Sequence, residues 1–159
     1  MNPEANSAVN SNIIERLENL LLNNNDSQYG FHKAAEAMDD ARLAGLFRDL
    51  ARERSAHAAE LQKWLMARGV KPRLEPLRTS ALRRNLLDFL ATLNGGDPAV
   101  ILAEAERWED DIEQHYESIL QGDTVALDKA THDVLQRQYA AVVRTCDRVR
   151  RCRNAYERR

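Results

Sequence analysis

Glycine, proline and cysteine are all scarce in this chain of 159 residues, with six, four and two copies, and no long apolar run occurs. Each scarcity removes a class of protein. No stretch approaches the ~20 apolar residues of a membrane-spanning helix, so no transmembrane segment is expected. Met1 to Asn12 has neither a basic n-region nor an apolar h-region, and residues 1–11 are expected to form a short frayed tail. Cys146 and Cys152 lie six apart in one helical stretch, where their Cα atoms do not meet disulfide geometry. The pair reads as reduced and the chain as cytoplasmic. Twenty-three basic and 25 acidic side chains give a net charge of −2, which argues against general attraction to nucleic acid or an anionic membrane. Charge is unevenly spread, however. The end from Arg144 to Arg159 is locally basic, which suits a helix C-terminus and also offers a contact for an acidic protein partner.

Between the few glycines and prolines, apolar residues recur with a 3.6-residue period, and no alternating stretch suggests a strand. The first long helix is expected from about Asn12 to Met38, followed by Asp39-Asp40 as break and N-cap. A very short turn makes the second helix, about Asp40 to Arg68, its antiparallel neighbour; Gly69 supplies the left-handed stop. After an extended link through Pro72 and Pro76, Thr79 or Ser80 can cap a shorter helix that ends at Asn94-Gly95-Gly96. Asp97-Pro98 is a cap followed by proline at the first helical position, so a third long helix should reach about Gln121. The fourth is expected from about Thr124 to Tyr156. Two hairpins joined by one long crossover carrying a short extra helix predict an all-α, ferritin-like antiparallel four-helix bundle, a single domain over residues 12–157.

The second helix interrupts its own apolar stripe. Leu43, Leu46, Phe47 and Leu50 lead to Leu61 and Leu65, and the inward positions between them fall near 53, 54 and 57, which hold Glu53, Arg54 and His57. Burying a carboxylate or an imidazole costs several kcal/mol unless the group is paired or bound to a metal, roughly speaking, so the interruption has a physical reason. The other stripes add Asn24 and Gln28 in the first helix, Glu109 with Glu106 at the edge in the third, and Gln138 in the fourth. A di-metal cage asks for a Glu from two helices and a Glu-x-x-His pair from each of the other two. Here the spacing in the second helix is four, and Gln138 has no His three or four residues after it. A polar core network of Asn24, Gln28, Glu53, His57, Glu109 and Gln138 is therefore the leading expectation, with no cofactor. The alternative is an iron or manganese site on Glu53, His57, Glu106 and Glu109, serving an oxidase or peroxide scavenger with Tyr116 nearby. Ser55 and Cys146 have no base and orienting partner in sequence, and Trp64 and Trp108 read as packing anchors.

Several segments carry a resemblance: Tyr29-Gly30-Phe31-His32-Lys33-Ala34-Ala35-Glu36, His57-Ala58-Ala59-Glu60-Leu61, Glu106-Arg107-Trp108-Glu109 with Tyr116, and Arg137-Gln138-Tyr139 with Asp147-Arg148-Val149-Arg150. In order and spacing, from Ile13 to Tyr156, they resemble a bacterial domain-of-unknown-function family of ferritin-like four-helix-bundle proteins. That resemblance implies a self-associating bundle, a homodimer in the simplest case, with a loose association with stress and no established reaction. Against ferritin-like metal sites, the residue three before His57, where a ligand Glu would stand, is Arg54, whose fixed charge repels a cation.

Overall fold

The computed structural model describes residues 3–72, 81–122 and 127–159, with the side chains of 3–10 and 81–83 outside the description. All regular structure among them is helical: α1 Pro3–Ala37, α2 Ala41–Ala67, α3 Ala81–Gly95, α4 Pro98–Gln121 and α5 Lys129–Glu157. No helix among the described residues is long and apolar enough to cross a membrane. Two of the expected boundaries move. α1 begins at Pro3, well before Asn12, since proline is tolerated in a first helical turn and no breaker follows it. α5 begins at Lys129, later than Thr124, because Asp128 accepts the backbone N–H of Thr131 at 2.7 Å and so fixes the first turn there. Thr79, Ser80 and Thr124 lie outside the described residues.

The other ends follow local chemistry. Asp40 caps α2 through the N–H groups of Arg42 and Leu43, and Asp97 caps α4 through Ala99 with Pro98 at the first helical position. Gly69 and Gly96 close α2 and α3 at φ of 72° and 67°, a region that costs glycine nothing.

Side-chain pairs fix the arrangement. Asp49 meets Arg148, Glu53 meets Thr145 and Trp64 meets Thr131, so α2 and α5 run antiparallel. Asn23 meets His115 and Arg16 meets Ser118, so α1 and α4 do the same. α1 packs on α2 and α4 on α5, which makes the two hairpins adjoin along α1/α4 and α2/α5. The single crossover lets the chain start α4 level with the start of α2. α3, carried by that crossover, lies against α1 and α4.

Phe31, Phe47, Phe89 and Trp108 tie one end together, with ring centroids 5.2–6.3 Å apart and edge or tilted packing for most pairs. Trp108 reaches across α1 at Gly30, where a Cβ would stand 2.6 Å from its ring. Trp64 is only half-buried; its indole N–H donates to Thr131 Oγ1 at 2.6 Å while the Arg68 guanidinium stacks on its face. The remaining core is aliphatic, led by Leu17, Leu20, Leu21, Leu50, Leu65 and Ile101, and midway along it the apolar side chains give way to polar ones.

Candidate functional site

The interruption begins on α2. From Leu50, a step of four reaches residue 54 and a further three reaches 57, so the helix period turns Arg54 and His57 inward while residue 53 swings to the edge. Arg54 is completely buried and His57 nearly so, whereas the Glu53 side chain keeps 24% exposure. The largest polar side chain in the core is thus an arginine.

Its guanidinium is clamped by two carboxylates. One nitrogen, Nη1, donates to Glu53 Oε1 at 2.9 Å, and Nη2 makes a short charge-assisted bond to Glu109 Oε2 from α4, a residue with no exposure at all. Thr145 of α5 closes the group: its hydroxyl lies 3.1 Å from Glu109 Oε2 and 3.4 Å from Glu53 Oε1, and it accepts from Arg54 Nη2 at 3.3 Å. Three helices therefore meet on one internal cation.

A second polar layer lies one to two turns along and uses all four long helices. Asn24 Nδ2 of α1 donates to the Tyr116 hydroxyl at 3.1 Å, which donates to Gln138 Oε1 of α5 at 2.8 Å. Gln138 Nε2 passes the chain to Glu60 Oε1 of α2 at 2.7 Å, and Arg137 holds the other oxygen of Glu60 at 2.6 Å from the surface. Beside it, Asn23 joins α1 to α4 through His115 Nδ1 at 2.9 Å and the Trp108 indole at 3.4 Å. Four buried atoms in and around these layers have no hydrogen-bond partner: Asn24 Oδ1, Arg54 Nε, His57 Nδ1 and Glu109 Oε1.

Burial and charge set the protonation states. Burial disfavours the Arg54 cation, but Glu109 and Glu53 outweigh it and hold the guanidinium pKa above its ordinary value. For Glu109 and Glu53 burial is the largest influence and pushes both carboxyls up, with Arg54 pulling back. His57 is driven down from 6.5 to about 3 by burial and then by the Arg54 charge, so it is a neutral imidazole at neutral pH. Burial also raises the Tyr116 phenol, which stays protonated and able to donate.

The predicted site residues fall into distinct places. Glu53 and Glu109 come together on Arg54; Asn24 and Gln138 belong to the tyrosine layer, to which His57 gives its backbone carbonyl, 3.4 Å from Gln138 Nε2, and a ring edge packed against Tyr116 at a centroid distance of 6.3 Å. Gln28 joins neither layer. It lines an outer furrow between α1 and α2 with His32, Arg48 and Ser55, because a step of four from Asn24 overshoots the inward face that Ser27 and Phe31 occupy. Glu106 also stands apart from Glu53 and His57, bound by Arg150 at 2.9 Å and by Arg153 on the α4/α5 seam. Arg54, Thr145 and Glu60 complete the layers. The inward position of residue 54 was readable from the stripe; a threonine one turn beyond Val142 carried no such signal.

Among the described residues, the side chains that gather three metal-type donor atoms within 4.8 Å are Asp110, Glu113 and Cys146. Cys146 gives its thiol proton to Asp110 Oδ1 at 2.9 Å, and Arg150 approaches the same oxygen at 3.3 Å. Burial and the neighbouring carboxylates push the thiol pKa up, which disfavours the thiolate a metal would need. A guanidinium beside the group disfavours it further.

No curated protein matches this chain. A family described as Domain of unknown function (DUF2383) matches residues 12–122, a span that holds Asn24, Glu53, Arg54, Glu109 and Tyr116 and stops before Gln138 and Thr145. With that match over more than half its length, the chain belongs to the DUF2383 family.

Proposed function

We propose that this protein is a non-catalytic, ferritin-like bundle that works by association, with itself or with a protein partner, and that its internal charge centre is structural. One observation carries the reading: the Arg54 guanidinium, fully buried, is bonded to both carboxylates that meet at mid-bundle. A di-metal cage needs those same oxygens to neutralise its ions, and a guanidinium that cannot lose its proton competes for them at every pH. The remaining donors match such a cage poorly. Glu106 is held by two arginines away from the centre, and Gln138 stands where a carboxylate or imidazole would be wanted. Arg54 thus does the electrostatic work of an ion without its chemistry. A homodimer in a bacterial cytoplasm is the simplest setting for this reading.

Protein expressed with added iron or manganese is expected to carry far less than one ion per chain after dialysis, and to consume no peroxide. A stoichiometric, tightly held pair of ions would overturn the proposal.

A further inference from the structure

On its outer side the α1/α2 pair is packed unevenly. Ala35 and Ala51, one from each helix, are buried there and neither reaches past a single methyl, so the larger side chains flanking them stand up as two rims. Between the rims lies a furrow of about 440 Å³, within the size range of small-ligand clefts. Helix period builds each rim: residues 28, 32 and 36 follow one another by single turns on α1, and residues 48, 52 and 55 do so on α2. Gln28, His32 and Ser55, polar residues that neither internal layer uses, therefore meet in one place.

Charge in this furrow is lopsided. Glu36, the carboxylate among its lining residues, is already held within α1 by Lys33 Nζ at 2.9 Å and His32 Nε2 at 3.3 Å. On the α2 rim Arg48 is exposed and makes no ion pair among the described residues. Arg52, with 78% of its side chain exposed, reaches Asp49 only loosely at 3.8 Å, and Asp49 is bonded more closely by Arg148 at 2.9 Å. Two guanidiniums thus line the furrow with donors to spare.

We propose that the α1/α2 furrow binds a small phosphate monoester, with Arg48 and Arg52 on the phosphate and Gln28 and Ser55 toward the organic group. Guanidiniums one turn apart, about 5–6 Å between Cβ atoms, can both bond a tetrahedral dianion, which offers more terminal oxygens than a carboxylate does. The antiparallel hairpin puts Gln28 beside Ser55 at the end of the furrow away from the turn, where an amide and a hydroxyl suit the hydroxyls of an organic group. Binding here makes and breaks no covalent bond. It goes beyond the association reading and does not depend on it, since none of these residues belongs to the internal charge centre.

The test is an amide chemical-shift titration of the intact protein with glycerol phosphate at low salt. Saturable shifts centred on residues 28–36 and 48–55 are expected, with a dissociation constant of about 1 mM or tighter. Arg48→Gln and Arg52→Gln are each expected to weaken binding by about tenfold, because each removes a charge-assisted donor pair. Glu36→Gln should tighten binding by about twofold to fivefold, since a repelling carboxylate is gone. Every substituted side chain is exposed and glutamine is a good helix former, so the fold is retained. Arg151→Gln with Arg158→Gln, exposed on α5 and outside the furrow, should leave binding unchanged. An equal loss in that control would reveal general attraction to surface arginines and overturn the proposal. So would a titration to about 20 mM that never saturates. Succinate binding as tightly as glycerol phosphate would overturn the phosphate assignment. Capture by phosphatidic acid vesicles without binding of the soluble ester would assign the arginines to a lipid surface and overturn it as well.

Discussion

Replacing Arg54 while keeping Glu109 leaves a fully buried carboxylate with no cation beside it, whereas replacing Glu109 leaves the buried guanidinium with Glu53 as its remaining carboxylate. Arg54→Met is expected to lower stability by about 3–5 kcal/mol in urea unfolding, and Glu109→Met by less, because Glu53 still pairs with the cation. The double variant should recover most of that loss, since apolar side chains of similar volume often do as well as a buried ion pair; an additive double loss would mean the pair is not an energetic unit. His57 gives a pH signature at the same scale. Its folded pKa of about 3 lies below the ordinary 6.5, so the unfolded chain takes up a proton that the folded chain refuses across that window. The stabilisation is fully present above pH 6.5 and is lost as pH falls toward 3, at up to about 1.4 kcal/mol per pH unit. The raised carboxyls of Glu53 and Glu109 act in the opposite sense and are common to parent and variant. Comparing the two isolates the imidazole: His57→Leu should show a shallower fall in stability between pH 6.5 and 4, and parallel curves would refute the assignment. The sequence made Glu53, Arg54 and His57 stand out together through helix period alone. It could not say which would win the central place, because 53 and 54 both lie near the inward direction and the outcome depends on Glu109 waiting across the bundle.

At the scale of the helix, two positions show how local preference yields to packing. Gly30 lies inside α1, where alanine would ordinarily be worth about 1 kcal/mol more. Its added Cβ would stand 2.6 and 2.8 Å from two carbons of the Trp108 ring and 3.2 Å from Phe89, and overpacking of that kind costs about 1–3 kcal/mol. Gly30→Ala is therefore expected to be net destabilising, and pairing it with Trp108→Phe should relieve part of the strain; a Gly30→Ala protein that melts higher than its parent would contradict the contact. Asp128 is the second position. Asp128→Ala should cost about 1 kcal/mol as a lost cap, and Asp128→Asn should retain most of it, because the side-chain oxygen still meets the Thr131 N–H. Helix existence and order were legible from period and punctuation, and Asp40, Gly69 and Asp97-Pro98 marked their ends correctly. α5 was not delimited as well. Thr124 and Asp128 are both acceptable caps by residue type, and the choice between them is made by contacts that arrive from α2, where Arg68 bonds Asp128 at 2.8 Å.

Across the whole molecule, neither hairpin owns its core. The inner faces of α1 and α2 are covered by α4 and α5, Arg54 takes one of its two carboxylates, Glu109, from the other hairpin, and the Asn24–Tyr116–Gln138–Glu60 chain requires every long helix in register. Slippage of one hairpin by a single turn would leave several buried polar groups unpaired, each costing about 1–3 kcal/mol. The two polar layers therefore act as a register device, a role that buried polar groups are known to fill in helical assemblies. This dependence predicts one cooperative unfolding transition with equal calorimetric and van't Hoff enthalpies. Two separable transitions would show that the hairpins fold independently. The same dependence governs a shortened chain. Residues 1–122 contain the whole segment matched by the family but lack α5, and with it Leu135, Val142, Cys146 and Val149 from the core and Gln138 and Thr145 from the polar layers. That fragment is expected to lose the sharp thermal transition and to bind a hydrophobic dye, with helix content retained in part. Adding a separate α5 peptide should restore the transition, because the surface it covers is the one that the deletion exposed. A fragment that unfolds as sharply as the intact protein would show that the polar layers do not couple α5 to the rest.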